Sequence, residues 1–177
     1  DEIGELAPSA VAILPTAAIE QHGPHNPVGL DTMCCMAVAR GAATEVGPDR
    51  PVVVCPPLHF GSSHHHLPWP GVLTLKSCTF SIVLQELLES LRLMGFRSIL
   101  VLNGHGGNEF LIQQAARDYV LANRDMQVVA GSYWDIARQG LEAIPSDGEF
   151  GIPGHAGSFE TALMLYLDPG LVRTDLI

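Results

Sequence analysis

The chain has 177 residues, a length that fits one domain, residues 1–177, with room for an apolar core and no need of disulfide staples. Apolar residues make up 47% and charged residues 16%, a balance that argues against disorder and for a surface partly hidden by self-association. The formal net charge of −10, with nine Lys and Arg, repels phosphate backbones, so neither nucleic acid nor an anionic membrane surface is expected as a partner.

The first residues, "DEIGEL", lack the basic-then-apolar order of a signal peptide, and no apolar run approaches the roughly 20 residues of a membrane span. The expected location is the cytoplasm. "VAILP" at 11–15 is the first strand candidate, and "DTMCCMAVARGAATEV" at 31–46 follows with apolar residues at helical spacing. "PVVVCPPL" at 51–58 is the second strand, and "TFSIVLQELLESLRLMG" at 79–95 the clearest helix. Its stripe runs Phe80, Val83, Leu84, Leu87, Leu88, Leu91, with Thr79 placed to cap the start and Gly95 where a C′ residue belongs. "RSILVLNG" at 97–104, "NEFLIQQAARDYVLANR" at 108–124 and "MQVVAGSY" at 126–133 continue the alternation, and a last helix begins near Ser158 and is stopped by Asp168-Pro169-Gly170. Strands alternating with helices predict an α/β three-layer sandwich with a mostly parallel central sheet flanked by helices. Cys34, Cys35, Cys55 and Cys78 show no C-x-x-C spacing and read as reduced, buried, small apolar residues.

In such sheets ligands bind beyond the carboxyl ends of the strands. The loops there are "TAAIEQHGPHNPVGL", "HFGSSHHHLPWPG", "NGHGGN" and the region leading to "GHAGSFE", and all eight histidines fall in those four stretches. Glu20 and His22, two residues apart, point to one side of an extended segment, and Asp31 follows after a loop rich in Gly and Pro. Carboxylates with imidazoles suit Zn²⁺, Mn²⁺ or Fe²⁺, whereas an all-oxygen set would suit Ca²⁺ or Mg²⁺. The competing view makes Asp31 a helix N-cap and leaves Glu20 and His22 solvated.

"NGHGGN" sets His105 among Gly104, Gly106 and Gly107, so the backbone turns tightly and a ligand can come close. A phosphate cradle is the rival there, without the Lys-Ser/Thr of a P-loop or a dinucleotide fingerprint. In "GHAGSFET", His155 and Glu160 converge only if His155 precedes the helix and Glu160 lies in its first turn; alone, Glu160 reads equally as dipole complementation. Of the run His64-His65-His66, His66 is expected to line the site and the others to be solvated, a further metal site being the alternative. Trp69 and Trp134, each near a strand end, are placed either to wall a pocket or to fill core.

"EQHGPHNPVGLDT", "HHLPWPG", "NGHGGN" and "HAGSFET", in this order and at these separations, closely resemble the signature blocks of the creatininase (creatinine amidohydrolase) family, from about Val11 to Leu167. The resemblance implies a three-layer α/β fold, a homo-oligomer, often a hexamer, and a dinuclear metal centre that hydrolyses C–N bonds in amides, commonly cyclic ones. It implies Glu20, Asp31 and His105 as ligands of one divalent ion and His22, Asp31 and Glu160 as ligands of the other, with Asp31 bridging. Creatininase itself carries a ligating glutamate where this chain has Gly107, and double-glycine members such as the formamide hydrolases of deazaflavin biosynthesis draw that ligand from the block holding Glu160. The usual Glu-His before "FPG" is here His65-His66, with Trp69 in place of Phe. Creatinine is therefore a less expected substrate than another small-molecule amide or a formamide. Members usually continue further, so the resemblance also implies that a C-terminal strand or helix is missing from this sequence.

The mechanism that follows has two ions (Zn²⁺, Mn²⁺ or Fe²⁺) activating a water against an amide carbonyl, while His155, not needed as a ligand, carries a proton to the leaving nitrogen. Two rivals stand beside it. One is hydrolysis of a peptide-derived amide in redox-cofactor maturation, and the other a metal- or phosphate-binding module without turnover.

Overall fold

A computed structural model describes residues 2–47, 50–144 and 152–177. Four strands, β1 (Val11–Thr16), β2 (Val52–Val54), β3 (Ser98–Asn103) and β4 (Gln127–Ser132), form one sheet in the order β2-β1-β3-β4. Every pairing is parallel. The helices among the described residues are α1 (Glu2–Leu6), α2 (Leu30–Val46), α3 (Ser77–Leu93), α4 (Glu109–Ala122), α5 (Tyr133–Ile136), α6 (Arg138–Glu142) and α7 (Ser158–Leu167).

Alternation along the central strands sorts side chains to two faces. Ala12, Leu14, Ile99 and Val101 pack with Phe80, Leu84, Leu88 and Leu91 of α3 and Ile112, Ala115 and Tyr119 of α4. Ile13 and Leu102 face the other way, onto Leu30, Cys34, Cys35 and Ala39 of α2, Met164 of α7, and Tyr133 and Trp134 of α5. A sheet covered on both faces is the three-layer sandwich expected. Leu84 and Leu88 are fully buried, and truncating either to Ala would remove about 2 to 5 kcal/mol of stability.

The strand and helix order is as read from sequence, with local differences. β2 keeps three of its expected eight residues, because Pro56 and Pro57 have no N–H to give to a ladder. Leu58 rejoins β1 through a single bridge to Thr16. α3 starts at Ser77 with Lys76 at its cap, so Thr79 lies inside the first turn and caps nothing. Gly95, at φ +107, follows the helix end as expected of C′. Cys34 and Cys35 are buried, Cys55 is half-buried and Cys78 is exposed at the start of α3, contrary to its expected burial. No helix among the described residues is long and apolar enough to cross a membrane.

The chain winds from β1 outward to β2, then back across β1 to β3. The switch point therefore lies between β1 and β3, which end level, Thr16 opposite Asn103. The loops that leave them carry Glu20 and His22 on one side and His105 on the other.

Candidate metal centre

Asp31 sits in the first turn of α2, whose N-cap is Gly29, so its carboxylate caps no helix and is 2% exposed. The loop before it is closed by the Glu20 N–H donating to the Val28 carbonyl at 3.1 Å, which returns Glu20 and His22 to the switch point. Across from them, the turn after β3 approaches α2 closely. A Cβ on Gly104 would stand 2.7 Å from Cys35 Cβ and 2.8 Å from the Asp31 carbonyl oxygen, so only glycine lets His105 reach Asp31 here. A Cβ on Gly107 would fall 2.3 Å from the Ser62 carbonyl oxygen and 2.5 Å from His105 Nε2.

The result is a cluster in which Glu20, His22, Asp31, His105 and Glu160 are all at most 6% exposed. His105 Nδ1 lies 3.2 Å from both Glu20 Oε1 and Asp31 Oδ2. His22 Nε2 lies 3.0 Å from Asp31 Oδ1 and 3.8 Å from Glu160 Oε2. Glu160 is in the first turn of α7 and His155 precedes it. Glu160 Oε2 accepts the Ala156 N–H at 2.6 Å, a contact made by a left-handed Ala156 at φ 52, a conformation that a non-glycine residue adopts only where its surroundings hold it.

In the neutral, metal-binding form both ligand-type imidazoles have fixed tautomers. The Glu20 carbonyl, which can only accept, lies 3.2 Å from His22 Nδ1, so that nitrogen carries the proton and Nε2 keeps its lone pair. His105 Nε2 meets the Ser62 carbonyl at 3.2 Å and Ser63 Oγ at 3.1 Å, which leaves Nδ1 bare toward Glu20 and Asp31. Ser63 also donates to Glu20 Oε2 at 2.5 Å, so one hydroxyl orients two of the clustered groups.

Asn103 and Asn108 brace the loops. Asn103 Nδ2 donates to the His105 carbonyl at 2.7 Å and Ser132 Oγ at 2.9 Å, and its Oδ1 accepts the His105 N–H at 3.1 Å. Asn108 Nδ2 donates to the Ala17 carbonyl at 3.0 Å while its Oδ1 accepts the Ser62 N–H at 2.9 Å.

Burial alone would raise the Glu20 carboxyl, but hydrogen bonding and charge from His105, with Ser63 and His66, hold it down to about 2. Burial works against a charged His105, yet Asp31 and Glu20 push it up to about 10. His22 is likewise raised by Asp31 and then Glu160 against its burial. Glu160 rises to about 7, through burial first and the neighbouring Asp31 and Glu20 carboxylates, opposed by His22 and the Ala156 N–H. Protons thus stand where cations would. His22 Nε2 and Asp31 Oδ2 are buried with no hydrogen-bond partner despite their close neighbours, the condition of atoms shaped for a ligand other than hydrogen.

Beside the cluster a cavity of about 380 Å³ is lined by His65, His66, Trp134, Gly154 and His155 among others. His66 takes the expected place. His65 is exposed, as expected, and also lines the cavity, its ring parallel to that of His105 with centroids 5.8 Å apart. It joins Glu20 and His105 in a group whose ligand atoms lie within 4.8 Å of one another. Trp134 is 4% exposed and both lines the cavity and belongs to the core, whereas Trp69 is 55% exposed and is not among the lining residues. Sequence reasoning gave no role to Gln21, Ser63, Asn103 or Asn108. All four lie in the strand-end loops, so the sequence shows their positions and not their partners.

This architecture and donor set define a class: a three-layer α/β domain whose strand-end loops gather carboxylates and imidazoles able to hold metal ions. A family model for creatininase, creatinine amidohydrolase, matches residues 1–177, and the chain belongs to that family. It is 31% identical over 184 residues to the creatinine amidohydrolase of Pseudomonas putida, covering 97% of this chain and 69% of that protein. It is also 31% identical to the mycofactocin precursor peptide peptidase of Mycolicibacterium smegmatis, with 93% of this chain and 61% of the relative covered. The crystal structure of creatinine amidohydrolase (creatininase) superposes with a TM-score of 0.88 at 29% identity, over 99% of this chain and 72% of the other. A mutant creatininase of Zn-Zn type gives a TM-score of 0.86 at 30% identity over 98% and 72%. The chain thus spans 61% to 69% of the length of these two sequence relatives.

Proposed function

We propose that this chain is a dinuclear metal-dependent amidohydrolase that cleaves a C–N bond, in a cyclic amide or a formamide, of a small molecule. The observation that carries the reading is Asp31, whose two oxygens face different imidazoles, Oδ1 toward His22 and Oδ2 toward His105. One carboxylate can then serve two ions, with Glu20 and His105 completing one side and His22 and Glu160 the other. The mixed oxygen and nitrogen donors and the two unpartnered buried atoms fit Zn²⁺, Mn²⁺ or Fe²⁺. Bound there, such ions supply an activated water and a Lewis acid for the carbonyl.

The residues of this chain do the rest. Their burial keeps the ligands from solvent, the hydroxyl of Ser63 and the backbone carbonyls of Glu20 and Ser62 hold the imidazoles in ligating tautomers, and the cavity admits substrate beside His66, His155 and Trp134. Similarity to the mycofactocin precursor peptide peptidase supports a second reading, a peptide-derived amide as substrate.

The test is metal content per chain, by elemental analysis of protein purified without chelators or a histidine tag. About two transition-metal ions per chain is the expected result, followed by hydrolysis within a panel of cyclic amides, N-formyl compounds and short peptides. Protein that holds none and takes up none on adding Zn²⁺ or Mn²⁺ would overturn the reading.

A further inference from the structure

Gln21 stands between Glu20 and His22 in sequence, but its side chain turns elsewhere. Its Oε1 accepts the backbone N–H of Gly23 at 3.0 Å. A backbone N–H only donates, so the amide oxygen must face Gly23 and the NH₂ group must face the cavity. The two amide hydrogens meet two imidazole nitrogens, His66 Nδ1 at 2.9 Å and His155 Nε2 at 3.1 Å. Both nitrogens must therefore present lone pairs. A neutral imidazole carries a single N–H, which puts the proton of His66 on Nε2 and that of His155 on Nδ1.

The rings lie against each other, centroids 4.3 Å apart, and both N–H groups face the same point. His155 Nδ1 is 3.6 Å and His66 Nε2 3.8 Å from Glu20 Oε1, each too far for a hydrogen bond. An oxygen atom entering beside Glu20 would meet two donors at once.

We propose that Gln21 is a positioning residue that locks His66 and His155 as a pair of N–H donors for the acceptor oxygen of the substrate. The identity of that oxygen, the carbonyl of the C–N bond cleaved, rests on the hydrolytic reading above; the lock itself rests on geometry alone. Donors aimed at the oxygen stabilise the negative charge it gains on attack, and they are already oriented when the substrate arrives. In this tautomer His155 gives a hydrogen bond and takes no proton at Nδ1, a different part from the proton carrier expected from sequence.

Gln21→Glu tests the lock, because a carboxylate keeps the size and the Gly23 contact yet can only accept. Two-bond ¹H–¹⁵N correlation spectra of Zn²⁺-loaded protein, assigned with His66→Gln and His155→Gln, report which ring nitrogen holds each proton. Wild type is expected to show His155 protonated on Nδ1 and His66 on Nε2, and Gln21→Glu to show both reversed at unchanged zinc content. Gln21→Met, which removes the donor and adds no acceptor, is expected to mix the tautomers. On any C–N substrate that the wild type hydrolyses, Gln21→Glu is expected to lower kcat by about 100-fold with KM little moved. A wild-type His155 protonated on Nε2, or rings that keep their tautomers in Gln21→Glu, overturns the proposal. A wild type that hydrolyses nothing refutes the hydrolytic reading instead, and the ring spectra still decide the lock.

Discussion

The two halves of the proposed centre are braced over different distances along the chain. His22 and Glu160 are held by their own segments: His22 Nδ1 by the Glu20 carbonyl two residues back, and Glu160 by the Ala156 N–H four residues back. Glu20 and His105 are held instead by a third loop, through Ser63 Oγ and the Ser62 carbonyl, more than forty residues from either. Asp31 faces both halves, Oδ1 toward His22 and Oδ2 toward His105. A brace within one segment survives small movements of the rest of the fold, while a brace from a third loop depends on the sheet holding three loops in register.

Asp31→Ala should erase the comparison altogether, because it removes a proposed ligand from each half. Bound metal is expected to fall from about two ions per chain to near none by elemental analysis, and a variant that keeps two tight ions would refute the shared carboxylate. Glu160→Gln, similar in size, should empty only the His22 half and leave about one ion per chain. Ser63→Ala keeps every ligand but loses the long-range brace. Its metal affinity should weaken about 10- to 100-fold for one ion and hardly for the other, which competition with a chromogenic chelator would resolve. Equal weakening of both would mean that the halves are not independently supported.

The smallest effect is a matter of protons. In the metal-free protein His105 is raised to about 10 by Asp31 and Glu20, so at pH 7 it carries a proton, and Glu160 at about 7 is partly protonated. A raised histidine lends stability that is complete below its ordinary 6.5 and disappears as pH climbs through about 10. Loading metal requires a bare His105 and an ionised Glu160, so binding should release protons, and affinity should fall as pH drops from about 10 toward 6. Zn²⁺ titrations by calorimetry at pH 7, in two buffers of different ionisation enthalpy, should show at least about one proton released per chain. No release would contradict the proton-filled cluster.

Much of this was legible in the sequence. The order of strands and helices, the parallel sheet and the buried stripe of α3 followed from period and punctuation, since side-chain direction repeats every two residues in a strand and every 3.6 in a helix. The histidine-bearing loops followed too, because a parallel sheet puts every strand-to-helix loop at one edge. β2 is shorter than its apolar run because Pro56 and Pro57 have no N–H to give to a ladder. α3 starts at Ser77, ahead of Thr79, a possible cap that the helix does not use.

The sequence by itself determined the residue types at the centre, and with them the preference for mixed oxygen and nitrogen coordination, because composition and motif order are local properties. Only the tertiary structure decided that His65 lines the cavity beside His66 while Trp69 stays out, and that Ser63 and Gln21 set which imidazole nitrogens are bare. Hydrogen-bond partners 42 to 134 residues apart are chosen by how loops meet at the switch point. No spacing along the chain encodes that meeting.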